Sequence, residues 1–224
     1  MNLGKQLYIE HGKISTDSLI PLIREIEDKP EYWKDNTRPK NNPSQKYTEN
    51  LIFVWTPILD IQEFSVYTNT TLLSTPIGKA YQEITKQVLQ LVPGTILRGA
   101  IIRLPPKKGI ASHLDGIHEI WTRGHRLHLP VITEPEVKFF YTENDIETNA
   151  KHLAKDILVE INNFLPHGVR HDGNYLRYHV MYDILDIKYN GPFIVNNHSD
   201  PEILRIDREI EVYDNPKFHP KFHL

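Results

Sequence analysis

The chain of 224 residues contains no cysteine. Disulfides, thiolate metal sites and cysteine nucleophiles are therefore excluded. An excess of charge is also missing: 26 Lys and Arg stand against 29 Asp and Glu, a formal net charge of −3. No broad basic field draws the chain toward nucleic acid or an anionic membrane, so neither is an expected partner. No apolar run approaches the length that spans a bilayer. The opening MNLGKQLYIEHGK lacks the apolar core of a signal peptide, and the expected compartment is the cytoplasm. No segment repeats another.

What is present suits one globular domain with a sizeable core. TDSLIPLIREIED has a helical apolar pattern through Leu19, Ile23 and Ile26, with Thr16 or Asp17 as N-cap. Residues 31–50 are polar and rich in Pro and Asn, which predicts a long irregular segment. LIFVWTP reads as a strand. Ile77, Tyr81, Ile84, Val88 and Leu91 form one helical stripe over residues 77–91, ended by Pro93-Gly94.

From Thr95 the pattern turns to short strands: TILRGAIIRLPP, GIASHLD, GHRLHLPVIT, EVKFFYTE, DILVEINNF, PHGVRHD and NYLRYHVMYDIL, separated by Gly, Pro, Asn and Asp. The expected fold is mainly β with flanking helices, a sandwich or jelly-roll barrel. The expected layout is a single domain. Residues 1–94 pack helices and strands on the barrel, 95–190 form the barrel, and 191–224 are a C-terminal extension. In that extension SDPEILRIDREIE predicts a helix with Asp200 as N-cap and Pro201 at N1.

Two His-x-Asp steps occur, His113-Leu-Asp115 and His198-Ser-Asp200. Pro105, Pro106 and Gly109 precede the first, so a helix is not expected there. In an extended strand, side chains at i and i+2 share a face, and His113 and Asp115 can grip one ion. A third ligand is needed. PHGVRHDG offers His167, at 167 − 115 or 52 residues on, enough for three barrel strands. Arg177 follows at 177 − 167, ten residues or one strand and a turn. The second step has only His219 and His223 after it and no strand-borne Arg.

Two His and one carboxylate form the facial triad of non-haem Fe(II) oxygenases, which leaves three positions open on the metal. A bidentate 2-oxo acid takes two and oxygen the third. The acid's distal carboxylate then needs a fixed cation, and the planar, always charged Arg177 suits it. Two strands repeat an Arg-x-His step. GHRLHLPV places Arg126 and His128 opposite Leu127, Leu129 and Val131. NYLRYHVMYDIL places Arg177, His179 and Met181 opposite Leu176, Tyr178, Val180 and Tyr182. Such faces suit solvent equally well. They also suit a barrel that is polar inside and apolar outside.

The elements HLD, RLHLPVIT, VEINNFLPHGV and LRYHVMYDIL occur in this order within residues 96–186. That stretch resembles the aspartyl/asparaginyl β-hydroxylase family of Fe(II)/2-oxoglutarate-dependent dioxygenases. The resemblance covers about two-fifths of the chain, leaving the tail after Asn190 without a counterpart. It implies a double-stranded β-helix with His113, Asp115 and His167 as iron ligands. It implies Arg177 as the 2-oxoglutarate anchor, with Arg126 and His128 lining the co-substrate pocket, and His179 as a packed core histidine. Fe(II), 2-oxoglutarate and O2 are the implied cofactors. The implied reaction hydroxylates an unactivated C–H, at the β-carbon of Asp or Asn in a peptide, protein or small amino-acid-like substrate. Related iron halogenases carry a small residue where the carboxylate stands, so Asp115 argues for oxygenation. Trp121 and Arg123 are candidates for a substrate rim. The competing readings are a non-catalytic barrel, a cupin-type metal isomerase or hydrolase that needs no 2-oxoglutarate, and a structural protein with a metal-binding tail.

Overall fold

The computed structural model of the chain describes residues 7–33, 46–55, 63–115, 124–188, 202–205 and 211–212. Strands and helices are numbered in chain order. Strands β4 (Thr95–Leu104), β6 (Gly124–Ile132), β9 (Ile157–Ile161) and β11 (Arg177–Leu185) lie in one antiparallel sheet, in the order β9-β6-β11-β4. Strands β5 (Ile110–His113), β7 (Val137–Glu143), β8 (Ile146–Lys151) and β10 (His167–His171) form the other, in the order β5-β10-β7-β8. The chain therefore winds between two facing sheets, which is the double-stranded β-helix. Each sheet supplies one wall of the space between them.

The first sheet is extended at both edges. β1 (Tyr8–Lys13) pairs with β9, while β2 (Glu49–Trp55), β3 (Glu63–Thr68) and β13 (Glu202–Arg205) continue beyond β4. A short pair, β12 (Ile187–Lys188) and β14 (Glu211–Val212), stands apart. No helix among the described residues is long and apolar enough to cross a membrane.

The helices cover the outer face of the extended sheet. Helix α3 (Pro76–Leu91) begins where the Thr75 hydroxyl accepts from the Gly78 N–H, with Pro76 supplying a ready φ at the first turn. It buries Ile77, Tyr81, Ile84 and Val88 of the predicted stripe, while Leu91 at its end is only partly buried. These residues and Leu19 and Ile23 of α1 (Leu19–Ile26) pack with Leu127, Leu129, Val131, Tyr178, Val180 and Tyr182 in the main core. Tyr81 stacks on Phe53 with centroids 3.9 Å apart and lies over Gly99, where a Cβ would meet its hydroxyl at 1.8 Å. The short α2 (Thr70–Ser74), capped by Asn69, leads into α3.

Outside the interior, one ionic cluster ties three strands together. The carboxylate of Glu160 accepts from His11 at 2.8 Å and from His125 at 2.7 Å, all three being buried. The cluster joins β1, β9 and β6.

Several expectations need correction. The N-cap of α1 is Ser18, not Thr16 or Asp17. The hydroxyl and amide of Thr16 go instead to Asp156 Oδ1, at 2.7 and 2.9 Å, so a distant carboxylate claims the would-be cap. Residues 202–205 are strand, not helix, because β3 offers a ladder of backbone partners there. Asp200 and Pro201 lie outside the described residues, as do His198, His219 and His223. Four strands, not three, separate Asp115 from His167: the polar IETNAK forms β8, which lacks an apolar face to announce it. The segment expected to be irregular is ordered at both ends: the 3-10 turn Pro30–Tyr32 overlaps its start, and β2 takes Glu49 and Asn50.

The two Arg-x-His strands are not solvent-facing. Every residue of β11 is buried, and so are residues 125–131 of β6. Their apolar faces meet the helices. Their polar faces look between the sheets, where Arg126, His128, Arg177, His179 and Met181 line one cleft.

Candidate metal centre

β5 and β10 pair antiparallel with His113 directly opposite His167. Cross-strand pairing thus delivers two imidazoles to one spot, with ring centroids 4.7 Å apart. Asp115 sits two residues beyond His113, just after the strand ends. Ligand atoms of these three residues all lie within 4.8 Å of one another. The spacing argument from the sequence brought together the same three residues.

The rings are set by their own backbone. His113 Nδ1 donates to the Ala111 carbonyl at 2.9 Å, and His167 Nδ1 donates to the Leu165 carbonyl at 2.8 Å. A carbonyl only accepts, so each Nδ1 carries a proton, which leaves Nε2 as the ring atom whose lone pair can serve a metal. His113 Nε2 is 3.6 Å from Asp115 Oδ1, and His167 Nε2 is 3.3 Å from Asp115 Oδ2. Oδ2 is buried without a hydrogen-bond partner. Two nitrogen lone pairs and an orphaned carboxylate oxygen facing one another are the donor set of a divalent cation. Phe139 stacks on the His167 ring at 5.4 Å and fixes its plane.

Arg126 reaches this group from β6. Its Nη1 pairs with Asp115 Oδ1, while Nε and Nη2 grip Asp183 at 2.7 and 2.9 Å. Burial opposes the charge on Asp115, but the Arg126 guanidinium beside it holds its carboxyl well below the usual range. Burial likewise opposes the charge on Arg126, and the two carboxylates more than restore it.

Arg177 also faces the space between the sheets, 2 % exposed and opposite Leu104 on β4. Its Nε and Nη1 have no hydrogen-bond partner among the described residues, and no carboxylate there pairs with it. Burial pulls its pKa down to about 10. A buried cation without a counter-charge is costly, and an anionic ligand removes that cost. His128 is also buried with neither ring nitrogen bonded. Burial and the nearby Arg177 and Arg126 hold it neutral, its pKa well below the ordinary value.

These groups border one cleft with about 500 Å³ of empty space, counting its open mouth. His113 and His167 stand on one side, Arg177 on another, with apolar walls from Ile102, Ile110, Phe139, Val169 and Met181. His179, expected to be core, lines the cleft as well, 5.0 Å from the His128 ring. Asp183 was not singled out from the sequence. The signal was there: alternation from Arg177 through His179 and Met181 carries the same face to Asp183. Trp121 and Arg123, the candidate rim, lie outside the described residues.

No protein-family model matches the chain, and no curated protein matches it. Solved structures do. The non-heme α-ketoglutarate-dependent epimerase SnoN from nogalamycin biosynthesis is 8 % identical, with 83 % of this chain and 80 % of that chain covered and a TM-score of 0.51. A Pseudomonas putida prolyl-4-hydroxylase is 12 % identical over 82 % of this chain and 95 % of that one, with a TM-score of 0.46. An oxidoreductase of the 2OG-Fe(II) oxygenase family from Burkholderia pseudomallei is 12 % identical over 73 % and 77 %, with a TM-score of 0.44. The last two overlap too loosely to bear on fold or function. The likeness to SnoN is one of fold, and it agrees with the strand order: the chain is a double-stranded β-helix.

Proposed function

We propose that the chain is an Fe(II)- and 2-oxoglutarate-dependent dioxygenase that hydroxylates an unactivated C–H bond. One observation carries the reading. A two-histidine, one-carboxylate cluster with its lone pairs turned inward shares a cleft with a buried arginine that lacks a counter-charge. A metal-binding barrel that needed no co-substrate would leave Arg177 unexplained.

In this reading His113, Asp115 and His167 hold Fe(II) through Nε2, Oδ2 and Nε2. Arg177 takes the distal carboxylate of 2-oxoglutarate in a two-pronged contact. Arg126 and His128 line the space the co-substrate occupies, and neutral His128 is able to donate to an anionic oxygen. Bound metal, co-substrate and O2 supply the oxidising chemistry; the chain fixes their geometry and keeps water out through the apolar walls. Asp115 occupies the coordination position a halide would need, which favours hydroxylation over halogenation.

The motif resemblance supports the β-carbon of Asp or Asn as the first substrate class, in a peptide, a protein or a small amino-acid-like molecule. The test is an anaerobic titration with Fe(II) and 2-oxoglutarate. A weak visible charge-transfer band needing both places them in one site. Reaction under labelled oxygen, read by mass spectrometry, should then add one labelled oxygen atom to substrate and form succinate in step. Turnover that needs no 2-oxoglutarate, or chlorination of the substrate, would overturn the reading.

A further inference from the structure

Arg126 spends its whole guanidinium on carboxylates. Nε and Nη2 form a fork with Asp183, at 2.7 and 2.9 Å, and Nη1 binds Asp115 Oδ1. Arg126 and Asp183 are direct cross-strand partners on β6 and β11, and Arg98 of β4 faces Asp183 from the other side. Arg98 Nε is 3.8 Å from Asp183 Oδ2. The fork is therefore built into the middle of a sheet, and Asp183 is wholly buried. Asp115, by contrast, follows the end of β5 and has no ladder partner of its own. Its carboxylate is fixed by side chains. Oδ1 is occupied by Arg126, and Oδ2 is left buried and without a hydrogen-bond partner, on the side of His167.

We propose that Arg126 and Asp183 are a positioning pair for the metal: they clamp Asp115 Oδ1 so that Oδ2 alone faces the ion. The inference rests on the Fe(II) site of His113, Asp115 and His167. It also separates the two arginines of the cleft. Arg177 has unfilled donors and awaits an anion, whereas Arg126 is filled. Were Arg126 to turn to a co-substrate carboxylate, Asp115 and Asp183 would both lose their main counter-charge in a buried setting. Arg126 therefore borders the co-substrate space without anchoring the co-substrate. Asp183 is two side chains from the ion and acts only through the arginine.

The test compares the wild-type chain with Asp183→Asn and Arg126→Lys, using Co(II) alone and then 2-oxoglutarate added to the Co(II)-loaded protein without oxygen. Asparagine keeps the shape of Asp183 but cannot hold the guanidinium ionically. Lysine keeps the charge of Arg126 but cannot fork. Loss of an outer partner of a metal ligand costs about 10–100-fold in metal affinity. Asp183→Asn should show that loss together with a changed Co(II) ligand-field spectrum, the signature of a released Asp115. Arg126→Lys should show a smaller loss. The 2-oxoglutarate affinity of both loaded variants should stay near wild type. Unchanged Co(II) affinity and spectrum in Asp183→Asn overturns the pair, and so does an Arg126→Lys chain that binds Co(II) normally but loses 2-oxoglutarate. If Asp183→Asn does not fold, as read by circular dichroism, Arg126→Lys decides alone by the same two affinities. A wild-type chain that takes up no Co(II) removes the metal site itself and this inference with it.

Discussion

Replacing Arg177 by Met should make the free protein more stable and its co-substrate binding worse. Arg177 is buried, and burial pulls its pKa down to about 10. One pKa unit corresponds to about 1.36 kcal/mol, so the charged form costs on the order of a few kcal/mol in the folded state. The sign follows from proton binding. The unfolded chain holds this proton more tightly, so stability rises with pH only above about 10, and the full cost is present at neutral pH. Methionine has a similar reach and no charge, so the gain should approach that figure less whatever packing is lost. Hydrogen bonds to charged groups contribute about 1.5–3 kcal/mol each, so losing the two-pronged contact should weaken 2-oxoglutarate binding by at least about 100-fold. Denaturant unfolding of the metal-free protein reads the first effect, and calorimetric titration of the metal-loaded protein reads the second. A variant that binds 2-oxoglutarate as before refutes the anchor. A variant that is less stable than wild type refutes the claim that Arg177 stands buried without a counter-charge.

Asp115→Ala should bind Fe(II) much more weakly and lose most turnover, because two neutral imidazoles hold a divalent ion less firmly than a set with a carboxylate; anaerobic Fe(II) titration checks this. Gly99→Ala drives a methyl group into the Tyr81 hydroxyl, and overpacking of that kind should cost about 1–3 kcal/mol in denaturant unfolding while the metal site is retained. The metal-free protein should lose stability as pH falls below about 4.5, the ordinary value for Glu160. Burial opposes the Glu160 charge, but hydrogen bonds from His11 and His125 win and lower its pKa, and Asp115 is lowered as well. Both carboxylates therefore stabilise the fold above their unfolded values and lose that contribution as pH drops through the folded ones. Thermal melts across that range that show no decline would contradict it.

The sequence by itself determined the elements whose signal is local. The 77–91 stripe made α3, since apolar spacing and the Thr75-Pro76 start need no distant partner. Alternation in RLHLPV and LRYHVMYDIL separated the two faces of β6 and β11 correctly. The grouping of His113, Asp115 and His167 was legible because a metal demands few residue types, and these were the ones with room for barrel strands between them; the fold brings their candidate ligand atoms within 4.8 Å of one another. What the tertiary structure decided was where each face looks and what each charge meets. Helices from the first ninety residues cover the outer face of the main sheet, so the polar faces of β6 and β11 are interior ones. Strand register sets Arg126 opposite Asp183, which filled one arginine and left Arg177 without a counter-charge. Thr16 lost its expected capping role to Asp156, and residues 202–205 took up the edge of β3 in place of a helix. Each of these outcomes depends on a partner tens of residues or more away. Local propensity is worth a fraction of a kcal/mol per residue, and hydrogen bonds made across the fold outweigh it.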